Sequence, residues 1–263
     1  MTSIRLEVAG DAAAVAAKAA AEFLRLGNEA IAQHGAFRVA LAGGDTPRAA
    51  YERIATTWQD APGGALSWDR VHLYWGDERM VPRDDPRSNF GMARAALLSR
   101  VPIPAENIHP IRIDAASPEA AAADYEKSLR VTFPQTLAPF PCFDLVFLGI
   151  GADGHTASLF PGASTLNEGS RFAVAARHPE TGERRVTLTL PVINGAASTV
   201  VLVSGGAKAA MLGRVRRGTG RRDADPLLPA ERLRPTFGSL LWLADAAAAS
   251  LASPGDGRPA RPS

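Results

Sequence analysis

The chain has 263 residues, 46% of them hydrophobic and 21% charged, and its formal net charge at pH 7 is +2. These values exclude an intrinsically disordered, collagen-like or low-complexity chain, and a chain of this length buries a sizeable core without cross-links. The single cysteine, Cys142, excludes an internal disulfide and a cysteine-rich zinc module.

Strand-like and helix-like patterns alternate along the chain. The β-rich apolar runs are Ile4–Val8, Phe37–Ala42, Val71–Trp75, Phe143–Ile150, Phe172–Ala176, Val186–Leu190, Thr199–Val203 and Leu240–Leu243. The helical patterns run from Asp11 to Gly35, over Thr46–Ile54, Ser88–Leu98 and Ser117–Leu129, and onward from Ala207. In the second helix, Thr46 is the predicted N-cap and Pro47 the first helical residue.

This alternation predicts an α/β fold. We expect a single three-layer domain over residues 1–252, with a mostly parallel sheet flanked by helices on both faces. The tail 253–263 is rich in proline and glycine, has little to bury, and is expected to be disordered. In such a sheet, ligands bind at the carboxyl ends of the strands, and four polar loops follow predicted strands.

The first polar loop contains Gly43, Gly44, Asp45 and Thr46. Two glycines and a helix N-terminus are typical of an anion site, although a tight capped turn explains the same residues. Asp45 places a negative charge beside such an anion. Its side chain is therefore expected to cap the helix or to bind a sugar hydroxyl.

The second polar loop, residues 76–83, follows the Val71–Trp75 strand. Arg79 and Arg83 are candidates for bidentate phosphate contacts. Asp77 is a candidate for accepting hydrogen bonds from sugar hydroxyls or for orienting a catalytic group. An exposed, salt-bridged loop is the alternative interpretation.

The third polar loop, GIGADGH at residues 149–155, has the G-x-G-x-x-G spacing of a dinucleotide-binding turn. It lies past the middle of the chain and lacks the acidic residue expected about 20 positions later, which argues against that function. His155, beside Asp153 and among glycines, is instead predicted to transfer protons, with backbone N–H donors close by.

The fourth polar loop, SGGAK at residues 204–208, follows the Thr199–Val203 strand. Lys208, one of only three lysines, lies in the first turn of the following helix, where a cation opposes the helix dipole. An anionic ligand would compensate for that arrangement. A solvated surface lysine is the alternative.

Other functions have little support in the residues. The histidines show no metal-ligand spacing, so no metal is expected. The cluster Arg214–Arg222 has no interleaved aromatic residues and is interpreted as a solvated loop, so no nucleic-acid partner is expected. No run reaches the roughly 20 apolar residues of a membrane helix, and no signal sequence is recognised. We therefore expect a cytoplasmic protein without a membrane partner.

Five stretches, in this order, resemble the 6-phosphogluconolactonase family. They are LAGGDTPRAAY, WGDERMVPRDDPRSNFGMARAALL, FDLVFLGIGADGHTASLFPG, LTLPVINGAASTVVLVSGGAKAAML and LLPAERLRP. The family is similar to the glucosamine-6-phosphate deaminases, whose corresponding loop has a catalytic glutamate where this chain has Phe160. Two features depart from the family pattern: Asp45 replaces a hydroxyl residue, and residues 214–225 replace the usual proline-bearing loop.

The resemblance implies hydrolysis of 6-phospho-D-glucono-1,5-lactone to 6-phospho-D-gluconate in the oxidative pentose phosphate pathway, without a cofactor. His155 is expected to activate the attacking water, with either Asp153 or Asp77 orienting its imidazole. The expected substrate- and phosphate-binding residues are Gly43, Gly44, Asp45, Thr46, Arg79, Arg83 and Lys208. The expected partner is a phosphorylated sugar lactone, and the expected oligomeric state is a monomer or a weak homodimer. A deaminase-like enzyme and a non-catalytic sugar-phosphate sensor are the alternatives.

Overall fold

Strands and helices alternate in the computed structural model, which describes residues 2–61, 63–133, 139–217 and 227–252. The strands are β1 (Ser3–Ala9), β2 (Phe37–Leu41), β3 (Val71–Trp75), β4 (Asp77–Arg79), β5 (Leu145–Leu148), β6 (Ala173–Arg177), β7 (Arg184–Leu188), β8 (Ser198–Val203) and β9 (Ser239–Asp245). The helices are α1 (Ala12–His34), α2 (Asp45–Thr57), α3 (Asn89–Ala96), α4 (Pro118–Thr132), α5 (Leu190–Asn194), α6 (Ala209–Arg217) and α7 (Ala246–Ala249).

The main sheet has six parallel strands in the order β1-β9-β8-β5-β2-β3. On one face, Phe23 of α1 packs against Phe37 of β2 and Phe147 of β5. On the other face, Phe133 at the end of α4 packs against Tyr74 of β3. Helices thus cover both faces, which explains why the central strands read as continuous apolar runs. The predicted α/β fold is confirmed.

Local signals place most helix ends correctly. Asp11 caps α1 by accepting the backbone N–H of Ala14 at 2.7 Å, and Gly35 ends the helix with φ 82°. The predicted N-cap of α2 is wrong, because α2 begins at Asp45 and its N-cap is Gly44. Gly44 has φ 103°, a conformation that side chains rarely adopt, so the chain turns into the helix before Thr46.

A second, three-stranded sheet was not predicted. It has the order β4-β7-β6 and both of its strand pairs are antiparallel. β4 covers Asp77–Arg79, where three consecutive charged residues carry no strand pattern and therefore predict a loop. Gly76 joins the two sheets, since its N–H donates to Leu41 and its carbonyl accepts from Leu188, both at 2.8 Å. The small sheet therefore lies next to the carboxyl ends of β2 and β3.

Two predictions concern segments outside the described residues: the disordered tail 253–263 and the part of the arginine cluster that includes Arg221 and Arg222. Within the described ranges, no helix combines the length and the apolar character needed to cross a membrane.

Candidate active site

A cleft of about 210 Å³ opens where the carboxyl ends of β2 and β5 meet β4 and β7. Its charged and titratable lining residues are Asp77, Arg79, His155, Arg185 and Lys208. Three cations and one carboxylate give the cleft a positive balance, which suits an anionic ligand. The glycines that line it are Gly43, Gly44, Gly76, Gly149 and Gly151. The structure thus brings all four predicted loops to one place.

His155 and Asp153 form a hydrogen-bonded pair at the wall of this cleft. The His155 ring Nδ1 lies 2.6 Å from the Asp153 Oδ1, and the His155 backbone N–H donates to the same oxygen at 3.2 Å. Burial disfavours the ionised carboxylate, but the hydrogen bonds and the charge of His155 outweigh burial and lower the pKa of Asp153. In the neutral tautomer whose Nδ1–H donates to Asp153, Nε2 is the ring nitrogen that can accept a proton.

The turn around His155 is shaped by glycine. The N–H of Gly151 donates to the carbonyl of His155 at 2.8 Å, and the N–H of Gly154 donates back to Gly151 at 3.1 Å. A Cβ on Gly151 would lie 2.2 Å from the His155 Nδ1 and 2.3 Å from the Asp153 Oδ1. Only glycine therefore leaves room for the pair, and Gly154, with φ 84°, supplies the left-handed turn that follows.

Asp77 belongs to a separate buried network. Its carboxylate accepts hydrogen bonds from the Ser158 hydroxyl and from the Asn89 amide, the latter at 3.1 Å. It makes no hydrogen bond to His155, so among the described residues the imidazole is paired with Asp153. Of the two carboxylates that sequence reasoning left open, only Asp153 is hydrogen-bonded to the ring, and Asp77 lines the cleft from β4.

Arg185 of β7 is a cleft residue that sequence reasoning missed. Its guanidinium pairs with Glu183 at 2.7 Å and donates to the Ser158 hydroxyl at 3.3 Å, and the residue is only 8% exposed. Ser158 thereby links Arg185 to Asp77. The apolar pattern starts only at Val186, so the sequence placed Arg185 outside the strand, whereas β7 extends to Arg184 in the structure.

The predicted cations separate into two groups. Arg79 and Lys208 line the cleft, and one Arg79 nitrogen donates to the carbonyl of Arg87 at 2.6 Å. Arg83 does not join them, because its guanidinium stacks on the ring of Phe90 at 4.3 Å and it lines a different recess. Four residues beyond the end of β4, the side chain of Arg83 has left the cleft, which the sequence spacing alone did not reveal.

The first polar loop contributes backbone rather than side chains. Gly43 and Gly44 line the cleft, and Asp45 and Thr46 line an adjoining recess that also reaches Lys208. The Asp45 carboxylate is 94% exposed and pairs with Arg48 at 3.2 Å. The Asp45 carboxylate thus faces solvent and Arg48, so it does not repel an anion bound at the N-terminus of α2.

Glu78, next to Asp77, also escaped sequence reasoning. This buried carboxylate accepts the backbone N–H groups of Arg79, Asn89 and Phe90, with distances of 2.7 to 2.8 Å. Burial raises its pKa, and those hydrogen bonds oppose the rise. Glu78 therefore fastens the first turn of α3 to β4 and holds the Asn89 amide beside Asp77.

Phe160 fills the position where the deaminases have a glutamate. Its ring is 1% exposed and lies between two imidazoles, with its centroid 5.0 Å from His155 and 5.0 Å from His178. An apolar ring therefore supports His155 on this side. In the part of the chain that the structure describes, no three His, Cys, Asp or Glu side chains are grouped to hold a metal ion.

Comparison with known proteins gives consistent matches. The sequence model of the family described as "Glucosamine-6-phosphate isomerases/6-phosphogluconolactonase" matches residues 10–242. A 6-phosphogluconolactonase of Synechocystis is 44% identical over 218 residues, which are 82% of this chain and 85% of the relative. One of Rattus norvegicus is 41% identical, over 83% of this chain and 82% of the relative. The solved 6-phosphogluconolactonase of Trypanosoma brucei superimposes with a TM-score of 0.78 at 29% identity, covering 94% of this chain and 97% of that one.

Proposed function

The chain belongs to the glucosamine-6-phosphate isomerase/6-phosphogluconolactonase family, and we propose that it hydrolyses 6-phospho-D-glucono-1,5-lactone to 6-phospho-D-gluconate with His155 as the general base. The observation that carries the assignment of His155 is its hydrogen bond to Asp153 at the wall of a cationic cleft. The names of the relatives support the reaction, which belongs to the oxidative pentose phosphate pathway.

The proposed chemistry needs one base that later acts as an acid. The His155 Nε2 takes a proton from water while the water oxygen bonds to the lactone carbonyl carbon. Asp153 stabilises the imidazolium that forms and keeps the ring in the productive tautomer. The imidazolium then protonates the ring oxygen as its bond to the carbonyl carbon breaks. That transfer leaves His155 neutral again, and the new carboxyl group releases its own proton to solvent.

The proposed substrate contacts follow from the charges around the cleft. Arg79, Lys208 and Arg185 attract the phosphate, and the N–H groups at the start of α2 supply neutral donors. Asp77 accepts hydrogen bonds from substrate hydroxyls. We assign no substrate contact to Arg83. Positioning through the remote phosphate places the carbonyl near His155 and lowers the barrier there.

Phe160 separates this function from a deaminase. Amine loss with ring opening needs an additional acid–base carboxylate, and Phe160 puts a phenyl ring beside His155 instead. The intact His155–Asp153 pair favours turnover over a sensor that only binds. Ammonia release from glucosamine 6-phosphate would identify a deaminase, and saturable binding without acceleration of lactone opening would identify a sensor.

The test is a coupled assay that generates the lactone in place and is corrected for its spontaneous hydrolysis. His155→Asn should lower kcat by roughly 10²–10⁴-fold, the range for removing a general base. Turnover near that of the wild type would exclude His155 as the base. Arg79→Ala should raise KM for the phosphorylated lactone but not for the unphosphorylated analogue, and equal effects on both would exclude its phosphate contact. The cytoplasmic location and the independence from cofactors stay predictions.

A further inference from the structure

The two edges of the main sheet differ in how they are protected. At one edge, β3 is covered, because Leu73 pairs with Ile108 and accepts the N–H of His109 at 2.8 Å. At the other edge, β1 pairs only with β9 among the described residues. An uncovered edge strand is a template for pairing with another chain.

Alternate residues of β1 point their backbone N–H and C=O groups away from β9. The Ser3 N–H donates toward the β9 side, to Gly238 at 3.1 Å. Since successive residues of a strand point their N–H and C=O groups in opposite directions, Ile4, Leu6 and Val8 direct theirs away from β9. Their side chains are also accessible, with Ile4 43% and Val8 50% exposed.

We propose that β1 is the docking edge for a second copy of this chain, which pairs antiparallel to it about a twofold axis at Leu6. In that register, Leu6 faces the partner's Leu6, and Ile4 faces the partner's Val8. All of these residues present outward N–H and C=O groups, so they form hydrogen-bonded pairs. The two six-stranded sheets become one continuous sheet, because the outward N–H and C=O groups of the two β1 strands meet in register.

Charge selects this register over its neighbours. A centre at Leu6 places Arg5 opposite the partner's Glu7, and Glu7 opposite the partner's Arg5. Both side chains lie on the α1 face, where Arg5 contacts Glu22 at 3.5 Å and Glu7 contacts Lys18. A shift of the centre to Arg5 or to Glu7 would set like charges directly opposite each other, which is unfavourable. The sequence of β1 is thus self-complementary in both its apolar and its charged positions.

The size of this contact makes the dimer concentration-dependent. One pair of seven-residue strands buries less surface than the roughly 1,600 Å² of a standard interface. The catalytic cleft lies at the carboxyl ends of other strands, so association leaves it open. The proposal is independent of the lactonase assignment and can fail without it.

Sedimentation velocity over a range of protein concentrations tests the proposal. The wild-type sedimentation coefficient should rise with concentration toward that of a dimer. Arg5→Glu and Glu7→Arg should each weaken self-association at least about tenfold, because each sets two like-charge pairs across the axis. An equimolar mixture of the two variants should associate like the wild type, since their charges are complementary. Arg53→Glu, the same charge reversal at an exposed site on α2, should leave association unchanged.

The double variant Arg5→Glu/Glu7→Arg distinguishes an effect on the proposed interface from an effect on folding. It exchanges the charges within each strand and should pair with itself like the wild type. Thermal unfolding and lactone turnover of each variant show that the chain is folded. A wild-type chain that stays monomeric at every concentration would overturn the proposal. So would single variants that dissociate but are not restored by mixing.

Discussion

Replacing Gly151 by alanine should slow catalysis without unfolding the protein. The added Cβ would lie 2.2 Å from the His155 Nδ1 and 2.3 Å from the Asp153 Oδ1, whereas ordinary contacts begin at 3.4 Å. The imidazole and the carboxylate must therefore each move by about 1 Å. Both side chains are partly exposed, at 28% and 46%, so they have room to swing into the cleft.

The magnitude follows from that displacement. A shift of about 1 Å in a catalytic group can cost on the order of 10²-fold in rate, and we expect a loss of this size in kcat. The backbone of Gly151 does not lie in the left-handed region, so alanine adopts it without strain. The free energy of unfolding should therefore change by no more than about 1 kcal/mol.

The assay is the coupled lactonase measurement, with urea unfolding on the same samples. Gly169→Ala is the matched control, because a Cβ there meets no atom within 4 Å and its backbone is equally permissive. The control should retain wild-type kcat and stability. A wild-type kcat in Gly151→Ala would refute the requirement for the His155–Asp153 contact. A fall in the unfolding free energy large enough to unfold the variant under assay conditions would make the loss of kcat a folding defect.

Three further predictions concern residues around the site and the far end of the sheet. Burial, with the nearby charges of His72 and Arg38, lowers the pKa of His109 to about 4. The unfolded chain takes up this proton near pH 6.5, whereas the folded chain takes it up only near pH 4. The free energy of unfolding should therefore fall as the pH drops from about 6.5 to 4. At pH 5 we expect a fall of about 1 kcal/mol, reduced to allow for the partial exposure of the ring. Urea unfolding at pH 7 and 5 measures this fall, and an equal fall in His109→Phe would contradict it. Tyr51→Phe should lower the unfolding free energy by about 1–3 kcal/mol. The buried Tyr51 hydroxyl accepts the N–H of Ala42 at 2.8 Å and donates to the Ala42 carbonyl at 2.9 Å, and both bonds would be lost. An unchanged urea midpoint would argue against this prediction. Asp45→Ala should leave KM within about twofold, since that carboxylate faces solvent and Arg48, and a tenfold change would show that it contacts substrate.

Much of the fold was readable because its signals are local. The apolar run that contains β5 reflects a strand covered on both faces, and Asp11, Ser88 and Ser117 cap helices within three residues of themselves. Local signals failed where a neighbouring segment decides the conformation. Asp77–Arg79 becomes a strand only because β7 supplies its hydrogen-bond partners.

In the candidate site, too, some features depend on consecutive residues and others depend on tertiary packing. The sequence alone determined the four polar segments, the position of Asp153 two residues before His155, and the glycines around them, because each of these depends on a few consecutive residues. Only the tertiary structure decided that Arg185 enters the cleft while Arg83 leaves it, and that Asp77 pairs with Ser158 rather than with His155. Those outcomes depend on how the second sheet packs against the first, and contacts between residues 27 or 81 positions apart leave no periodicity in a single sequence.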